Sequence, residues 1–600
     1  MIVRMKKLTL LASESYKDEL LQKLRRIGVV HIKHVTSPSA DEISSLEETI
    51  SQTKKTILIL EGCGIPKAAE RVSWKASEIP KRIKETTSIA AEREDVVKSL
   101  QFVEGRIEQF KPWGAFDPQD LRAFEDKNVS IRLYRTTKGA LKRAINERKT
   151  IHIINEDKQY VYIAQICQTG DEGLPFEEVK FTQESFEALY QKHESFKKRI
   201  EEIEDELRAK ARAAESLRKH LSTLEGRRTF LNVMHGMGRE RGFSYLQGYC
   251  PSDSVKEITE LAKRGGFGYL IEEPDEPEST PTLIRNPRWI NIISPVFKFM
   301  NTMPGYGEYD ISLWFLLFFS LFFAMLIGDA GYGVLFLGLT YFLRRRLKNI
   351  PKEPFLLMYV LSFTTIIWGA ITGTWFGSEY ISRITPFNAL IIERVNSFIG
   401  TNQEFIIYLC FVIGVIHLSI AHLIKASRIL NSLKVLAEIG WVLTLWGLFY
   451  TAGTLVINKT FPAFARYLLI VGAALIVLFS NPQKNILKGI LTSLAMVPLK
   501  VISSFADVVS YIRLFAVGYA TVAVASGFNK MALMLGFDSI ICGLGAAFIM
   551  VLGHTINIAL GLMSVIVHGI RLNMLEFSGQ IEMEWTGTEY NPFREQETTV

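Results

Sequence analysis

The sequence predicts a multi-pass α-helical membrane domain of about eight spans, joined to an α+β cytoplasmic arm with two small α/β lobes and a long antiparallel coiled coil. Charge distribution and apolar runs support this fold class. The first 310 residues hold 50 basic and 48 acidic side chains, whereas the last 290 hold 19 and 14. The second half also contains runs close to the roughly 20 apolar residues that cross a bilayer. This split disfavours a wholly soluble enzyme, a disordered protein and a secreted disulfide scaffold.

Residues 1–310 are interpreted as the arm. Its opening pattern is strand, helix, strand, and further strands are predicted in 151–166 and 243–249. The predicted parts are a proximal lobe (1–40 and 230–280), a coiled coil (41–110 and 183–228) and a distal lobe (112–180).

The coiled coil is predicted from heptad spacing. Apolar residues recur at steps of four and three through 183–225, with one gap at Lys210/Ala211. The segments 41–62 and 83–110 are the candidate antiparallel partners. A helix of about 43 residues would reach about 65 Å, long enough to join two lobes. The alternative is a solvated surface helix.

Few residues in the arm indicate catalysis. The sequence has no Gly-Lys dipeptide, so it has no P-loop of the usual type. Its five cysteines lie far apart without a CxxC pair, which disfavours a metal or disulfide function. The net charge of +7 gives no case for nucleic acid. The first 15 residues are too weakly apolar for a signal peptide, so we expect a cytoplasmic N-terminus.

The predicted transmembrane domain covers 311–577. Its first run, 311–343, would be about 50 Å long as one straight helix, too long for a ~30 Å hydrocarbon core. We therefore expect a tight hairpin of two helices that turns at 328–333, with Asp329 as a turn residue rather than an ion site. The remaining predicted spans are 355–377, 404–424, 435–457, 463–480, 501–529 and 537–577, of which the last two are long and tilted.

Loop charges predict the orientation of these spans. With an internal N-terminus, the cytoplasmic loops would hold eleven basic residues and the external loops five, as the positive-inside rule requires. Both termini are then cytoplasmic, and 578–600 forms a cytoplasmic acidic tail.

Two basic residues remain inside the last two spans. Arg513 lies near mid-membrane, and Arg571 lies in a final apolar stretch of about 40 residues. An arginine at the centre of a bilayer costs at least ~2.5–3.5 kcal/mol on insertion scales, and it cannot shed its proton. Some compensating interaction is therefore required. Taken alone, Arg571 has an alternative, because it lies close enough to the helix end to snorkel.

Polar residues follow a helical period in the last span. They lie at steps of three and four, which places them on one face of an otherwise apolar helix. The members of this stripe are His554, Asn557, Gly561, Ser564, His568 and Arg571. Such a stripe must face protein, water or an ion path rather than lipid. The preceding span carries a smaller cluster of Asp507, Ser510 and Arg513, followed by small residues from Gly518 to Gly527 that would let another helix approach closely. Apart from Gly561, the residues of the stripe and of the cluster are the candidate ion-translocation residues.

Other polar residues of the spans are interpreted as structural. We expect His554, His417 and His422 to pack or to form hydrogen bonds rather than to ligate an ion. The one-turn spacing favours an ion pair between Glu438 and Lys434.

Six motifs resemble subunit I, also called subunit a, of the V/A-type rotary ATPases. They are TPTLIRNPRW at 280–289, PGYGEYD at 304–310, GDAGYG at 328–333, WGAITGTWFG at 368–377, SYIRLFA at 510–516 and HGIRLNMLEF at 568–577. The resemblance covers essentially the whole chain. It implies that Arg513 and Arg571 face a rotor ring and line the ion path, with His568 and Glu576 at matching positions. Eukaryotic members carry an acid near the position of Gly561, which this chain lacks.

The resemblance implies a non-catalytic stator subunit of a bacterial or archaeal complex in the cell membrane. Its expected partners are the rotor proteolipid ring (c or K), the peripheral-stalk subunits of E/G type, membrane lipid and, as a further candidate, the central-stalk socket subunit; no cofactor is expected. The competing interpretations are a secondary ion-coupled transporter with a coiled-coil regulatory domain and a membrane receptor or scaffold. The choice between H⁺ and Na⁺, and between ATP synthesis and pumping, stays open.

Overall fold

A computed structural model describes the chain outside ten short segments. The segments it leaves out are 65–71, 126, 145–150, 169–173, 182–183, 348–349, 386, 482–485, 537–538 and 596–600. Parts of the predicted coiled coil, distal lobe and acidic tail therefore lie outside the described residues, as do Lys348 and Lys484 of the predicted cytoplasmic loops.

Two sheets account for the strands of the described residues. The first has the strand order β2-β8-β1-β9, with β7 also paired to β8, and the second has the order β4-β5-β3-β6. In the second sheet β3 runs antiparallel to β5, from Val129 opposite Gln168 to Thr137 opposite Tyr160. The strands are β1 (Met5–Ser13), β2 (His31–Lys33), β3 (Val129–Thr137), β4 (Ile151–Glu156), β5 (Tyr160–Gln168), β6 (Glu177–Glu178), β7 (Gly238–Glu240), β8 (Phe243–Pro251) and β9 (Gly268–Glu272).

The predicted strand segment 151–166 holds a hairpin of two strands, β4 and β5. Asp157 forms the turn, because its Oδ1 accepts hydrogen bonds from the backbone N–H groups of Gln159 and Tyr160, each at 2.7 Å. These two bonds, with Tyr160 the stronger contributor, hold the pKa of Asp157 below its ordinary value.

The helices before residue 302 are mostly charged and surface-facing. They are α1 (Lys17–Ile27), α2 (Asp41–Gly62), α3 (Ile79–Phe110), α4 (Pro118–Glu125), α5 (Lys138–Ala144), α6 (Phe186–Ala211), α7 (Ala214–His235), α8 (Val255–Gly265), α9 (Arg288–Asn291) and α10 (Ser294–Met300).

Four of these helices pack in two pairs, α2 with α7 and α3 with α6. A shared core includes Ile79 and Ile83 of α3 together with Leu207 and Ala211 of α6. The chain leaves the α-helix at 212–213, immediately after the gap in the heptad pattern. The helix pairs therefore follow the predicted pairing, while a supercoiled coiled coil stays a prediction.

A second group of helices is strongly apolar. Its members are α11 (Ser312–Ile327), α12 (Ala330–Arg346), α13 (Lys352–Thr372), α14 (Glu379–Ser382), α15 (Gln403–Arg428), α16 (Lys434–Ile457), α17 (Ala463–Phe479), α18 (Ile486–Ser510), α19 (Ile512–Leu535) and α20 (Ile540–Ser564). A short acidic segment follows, of which 581–595 is described.

Every predicted span overlaps a helix of this group. By length and composition, five helices of the described chain could each cross a membrane, or six if α11 and α12, which bend by 119° at their junction, form one broken span. The fourth of these is a 43-residue segment, Ser493–Leu535, that combines most of α18 with α19, and α17 is shorter than the others. The region is therefore a multi-helix membrane domain, and the count of eight spans stays a prediction.

Asp329 holds the turn between α11 and α12. Its Oδ1 accepts from the backbone N–H groups of Gly331 and Phe376 at 2.8 Å, and its Oδ2 accepts from Gly377 at 2.8 Å. Gly328 precedes it with a φ of +68°, which favours glycine. The prediction that Asp329 is a turn residue is confirmed, because its buried carboxylate caps α12 and ties that turn to the loop after α13.

The chain divides into two compact units. One consists of Met1–Thr9, Gly248–Ala262 and Tyr269–Pro592, and the other of Leu10–Gln247, Lys263–Gly268 and Phe593–Val600. The first contains the apolar helices and the linker before them. The second contains the two helix pairs and the sheet of β3 to β6.

Small residues of α19 let α11 approach closely, as the sequence predicts. A Cβ placed on Gly518 would lie 2.3 Å from the backbone oxygen of Met325. Backbone atoms cannot move aside as a flexible side chain can, so this position requires glycine.

We therefore expect Gly518→Ala to lower the melting temperature of the purified protein, since overpacking costs about 1–3 kcal/mol. Gly527→Ala is the matched control in the same helix, because a Cβ there would meet nothing within 4 Å. That variant gains alanine's helix propensity without a clash, so its melting temperature should stay the same or rise. Equal melting temperatures for the two variants would contradict the close approach of α11 and α19.

Candidate functional site

The two arginines singled out in the sequence meet at one carboxylate. Oε1 of Glu576 lies 3.3 Å from Nη2 of Arg513 and 3.4 Å from Nε of Arg571. The Glu576 side chain is 3% exposed, that of Arg513 is 25% exposed and that of Arg571 is 51% exposed. Glu576 thus supplies the compensating charge that the buried arginine requires.

A local change of helix type makes this contact available. After α20 the helix adopts π geometry over Val565–Gly569 and again over Leu572–Phe577. Positions five apart lie about 140° apart around an α-helix, so Arg571 and Glu576 would not share a face there. The wider π turn, with its i→i+5 hydrogen bonds, brings such positions close together, and π turns are frequent at functional sites.

The π turns also correct the predicted polar stripe. Asn557 is buried and His554 is partly buried, as expected of a stripe that faces protein. The residues after Ser564 no longer follow the α-helical period, because π geometry begins at Val565. Ser564 itself belongs to neither of the two hydrogen-bonded groups described below. The side chain of Arg571 is consequently half-exposed and does not continue the buried face of the stripe.

Buried polar atoms with unused bonding capacity surround the arginine–glutamate contact. Among the described residues, four such atoms have no hydrogen-bond partner: Arg513 Nη1, His568 Nδ1, Asn573 Oδ1 and Glu576 Oε2. Buried polar groups are normally satisfied, so a concentration of exceptions indicates a place that other polar groups or water enter. Nη2 of Arg513, the nitrogen that lies near Glu576, also donates to Ser510 Oγ at 2.6 Å.

A route of hydrogen bonds begins beside this contact. Asp507 interacts electrostatically with Glu576 and both arginines. Its Oδ2 accepts from Nε2 of Gln580 at 2.6 Å, so it faces Gln580 instead of bonding to Arg513. Oε1 of Gln580 then lies 3.1 Å from Nε2 of His422.

The route continues through His422 to Glu438. Nδ1 of His422 lies 2.7 Å from Oε2 of Glu438, so both ring nitrogens face an acceptor oxygen. The imidazole of His422 therefore bridges the Gln580 amide and the Glu438 carboxylate.

The route ends at exposed charges. Oε1 of Glu438 lies 3.3 Å from Nζ of Lys425, and Glu582 accepts from Lys425 at 2.9 Å and from Lys500 at 3.0 Å. Burial raises the pKa of Glu582, but the hydrogen bonds from the two lysines outweigh this effect and hold the pKa below its ordinary value. The expected pair of Glu438 with Lys434 is wrong, because His422 and Lys425 of α15 reach the carboxylate across the helix interface.

A second polar group surrounds His554. Its Nδ1 lies 2.7 Å from Oη of Tyr332, and its Nε2 lies 3.1 Å from Oδ1 of Asn529. Asn557 donates to the same Tyr332 oxygen at 3.0 Å and to the backbone oxygen of Thr521 at 2.9 Å. The expectation that His554 and His422 form hydrogen bonds is confirmed.

Tyr511 occupies the break between α18 and α19, two residues before Arg513. Its hydroxyl lies 2.8 Å from Nδ1 of His417, and both side chains are fully buried. The His417 ring stacks between Phe318, with centroids 3.9 Å apart, and Phe577, with centroids 4.2 Å apart. The contacts of His417 with Tyr511 and Phe577 therefore hold the backbone on both sides of the arginine–glutamate contact, since Tyr511 lies two residues before Arg513 and Phe577 follows Glu576 directly.

Sequence reasoning missed most partners of these groups: Tyr332, Lys425, Glu438, Lys500, Asn529, Gln580 and Glu582. One signal was available. His422 lies six residues before the end of α15 and Glu438 four residues after the start of α16, so a tight connection brings both to a similar depth.

No family model matches the chain. Among curated proteins, the V-type ATP synthase subunit I of Borreliella burgdorferi is 32% identical over 618 aligned residues, which cover 99% of both chains. The chain belongs to the V-type ATP synthase subunit I family. Subunit I 1 of Treponema pallidum is 29% identical over 99% of this chain and 100% of the relative.

More distant subunit I relatives also occur in archaea. The A-type ATP synthase subunit I of Methanocaldococcus jannaschii is 25% identical over 58% of this chain and 55% of the relative. Among solved structures, the cytoplasmic N-terminal domain of a V-ATPase subunit I is 14% identical and covers 44% of this chain and 99% of that domain. Its TM-score of 0.24 does not establish a shared fold.

We expect Tyr511→Phe to lower the melting temperature of this subunit I, because His417 would lose a buried hydrogen bond at a cost of about 1–3 kcal/mol. Tyr519→Phe in α19 is the control, since Tyr519 is 39% exposed. Thermal unfolding of both variants in the same detergent checks the expectation. A Tyr511→Phe variant as stable as the control would show that the hydroxyl contact contributes nothing.

Proposed function

We propose that this subunit I is the stator of a V/A-type rotary ATPase, in which it forms two half-channels for H⁺ or Na⁺ against a rotor ring and anchors the peripheral stalks. The observation that carries the proposal is the contact of Arg513 and Arg571 with a single buried oxygen of Glu576. Two fixed cations contact one carboxylate beside an exposed face, with Asp507 as a further acid close by.

The positive charge of the two arginines would cause a rotor carboxylate to release its bound ion. A carboxylate on a passing rotor subunit would approach the two arginines, with Arg571 more exposed than Arg513. The guanidinium stays charged at any working pH and favours the ionised form of that carboxylate, so the bound ion leaves. The same fixed charge repels cations that would otherwise cross directly between the half-channels.

Glu576 keeps this attraction from becoming too strong. In the chain by itself it occupies the position nearest both arginines, so an incoming carboxylate has to compete with it. This competition weakens the attraction between the arginines and each rotor carboxylate, so the ring can continue to rotate. The unused oxygen Oε2 of Glu576 and Nη1 of Arg513 are available for the rearrangement.

Two polar groups lie in opposite directions along the helices from the arginines. Asp507 precedes Arg513 by six residues and begins the route to Lys425 and Lys500, which the positive-inside rule assigns to the cytoplasm. His554 precedes Arg571 by 17 residues, about 25 Å at helical rise, and bonds to Asn529 beside the external Lys530. We assign the first route to the cytoplasmic half-channel and the second group to the external one.

The face offered to the rotor is mostly apolar, with Thr555 and Arg571 as exposed polar residues. On α20 and the π turns, Val551, Met563 and Val567 have exposed fractions of 68%, 61% and 49%. Within an apolar 18-residue stretch of Ile540–Gln580 only 22% of the residues are buried, against 56% in the corresponding stretch of Gly400–Arg428. A rotor ring of apolar helices, with lipid around it, is a suitable partner for such a face.

The N-terminal region acts as the arm in this proposal. The helix pairs α2–α7 and α3–α6 carry cross-helix ion pairs such as Arg199 with Glu92 at 2.6 Å and Arg218 with Glu61 at 2.6 Å. Long paired helices resist bending, as a stator requires, and the ends of the arm would meet the E/G-type peripheral stalks and the central-stalk socket. We assign the arm and both termini to the cytoplasm.

Replacing Arg513 tests the proposal in the assembled complex. We expect Arg513→Ala and Arg513→Lys to reduce ATP-driven ion uptake by vesicles to background while the complex still assembles, because neither variant keeps a guanidinium at the less exposed position of the pair. Arg571→Ala should reduce uptake less completely, since Arg513 then remains as the fixed cation. Arg383→Ala, which removes an exposed loop arginine paired with Glu379, is the control. Substantial coupled uptake by assembled Arg513→Ala would overturn the proposal, and sodium dependence and uncoupler sensitivity of the wild type identify the ion.

Replacing Glu576 tests its role as a competing counter-ion. Glu576→Gln should strengthen the hold on the rotor carboxylate and so slow turnover of the assembled complex, with uptake per ATP hydrolysed preserved. Glu584→Gln removes a nearby exposed acid and is the control. If Glu576→Gln turns over at the wild-type rate, Glu576 does not limit the attraction.

A further inference from the structure

A cavity lined by both polar and apolar side chains lies immediately before the first apolar helix. Its volume is about 480 Å³, and its wall includes Thr282, Lys298, Thr302, Glu589 and Ser312, the first residue of α11. None of these residues belongs to the arginine–glutamate contact or to either half-channel route. The cavity therefore requires a separate explanation.

Two hydroxyl groups in the wall are left without partners. Thr282 is 1% exposed, and neither its Oγ1 nor the buried Oγ1 of Thr302 has a hydrogen-bond partner among the described residues. The backbone of Thr282 is held firmly, since it donates to the backbone oxygen of Thr588 at 2.8 Å. Buried hydroxyls are normally bonded, so these two point to a polar occupant.

The charges in the wall are of both signs. Lys298 forms no ion pair with the described part of the chain, and Glu589 supplies a carboxylate. The side chains of Asn291 and Asn301 add amide donors. An occupant with one anionic group, which accepts from the hydroxyls and Lys298, and one ammonium group, which donates to Glu589, would satisfy this set.

The surroundings place the cavity at the depth of lipid headgroups. Ser312 begins a helix that continues as SLWFLLFFSLFFAMLI, so the hydrocarbon region starts next to it. Trp289 of α9 and Phe299 of α10 are 60% and 72% exposed. Exposed aromatic side chains of this kind are typical of the boundary between membrane and water.

We propose that this cavity binds the headgroup of a zwitterionic phospholipid that carries a primary ammonium group, with the phosphate at Thr282, Thr302 and Lys298 and the ammonium at Glu589. Trp289 and Phe299 would lie among the neighbouring lipids. The bound lipid would join the linker 282–303 to the tail segment 587–590 at the membrane surface. The proposal requires that α11 enters a membrane, and it does not depend on ion translocation.

The test is retention of phospholipid by the purified full-length subunit. After prolonged exchange into a detergent that contains no phospholipid, phosphatidylethanolamine and phosphatidylglycerol are added in equal amounts, and native mass spectrometry measures which remains bound. We expect the wild type to hold phosphatidylethanolamine in preference to phosphatidylglycerol, which has no ammonium group. The double variant Thr282→Val, Thr302→Val and the variant Lys298→Gln should each bind it about tenfold less tightly, equivalent to 1.4 kcal/mol.

Thr586→Val is the control, because this exposed threonine is not in the cavity wall. It should retain lipid as the wild type does, and melting temperatures measured in parallel separate a loss of binding from a loss of fold. Equal retention by all variants would overturn the proposal, as would a wild type that holds neither lipid. Displacement of the lipid by millimolar inorganic phosphate would also overturn it, because the cavity would then be a site for free anions.

Discussion

The cost of keeping a guanidinium among apolar helices is the constraint on which this structure depends. Arg513 cannot lose its charge, and an unpaired buried charge costs several kcal/mol, so a carboxylate has to reach it. Glu576 does so from the far end of the chain, and the same oxygen also meets Arg571. Arg513, Arg571 and Glu576 are thereby fixed relative to one another. Because Arg571 is half-exposed, lipid or a partner can approach the group from that side.

Other features of the membrane unit support that contact. The two π turns supply the spacing by which Arg571 and Glu576 share a face. The contact between His417 and the Tyr511 hydroxyl holds the helix break before Arg513, and Phe577 stacks on the same imidazole. Gly518 lets α11 pack directly against the backbone of α19. Each of these features positions the backbone around the arginine–glutamate contact and adds no charge to it. The groups at Asp507 and His554, by contrast, are polar and hydrogen-bonded.

The sequence was most informative where charge and hydrophobicity vary along the chain. Composition and helical spacing predicted the division into a charged N-terminal half and an apolar half, the turn at Asp329 and the small-residue face at Gly518. They also singled out Arg513 and Arg571 as basic residues inside apolar spans. The pairing of Glu438 was predicted wrongly, because helical spacing describes neighbours on one helix and carries no information about the next. The contact of Arg571 with Glu576 could not be derived from spacing, since the α-helical period fails within a π turn. Resemblance to a family indicated Glu576, but not which atoms it meets.

A double-mutant cycle between Arg513 and Glu576 tests the central claim most directly. The free energy of unfolding of the subunit would be measured for Arg513→Gln, Glu576→Gln and the double variant, with Arg383→Gln replacing Arg513→Gln in a parallel control cycle. If the two side chains share a buried contact, the double variant should be more stable than the sum of the single effects predicts, with a coupling of about 1–3 kcal/mol. Additive effects within about 0.5 kcal/mol, as expected for the control cycle, would contradict the claim that Glu576 is the counter-ion of Arg513.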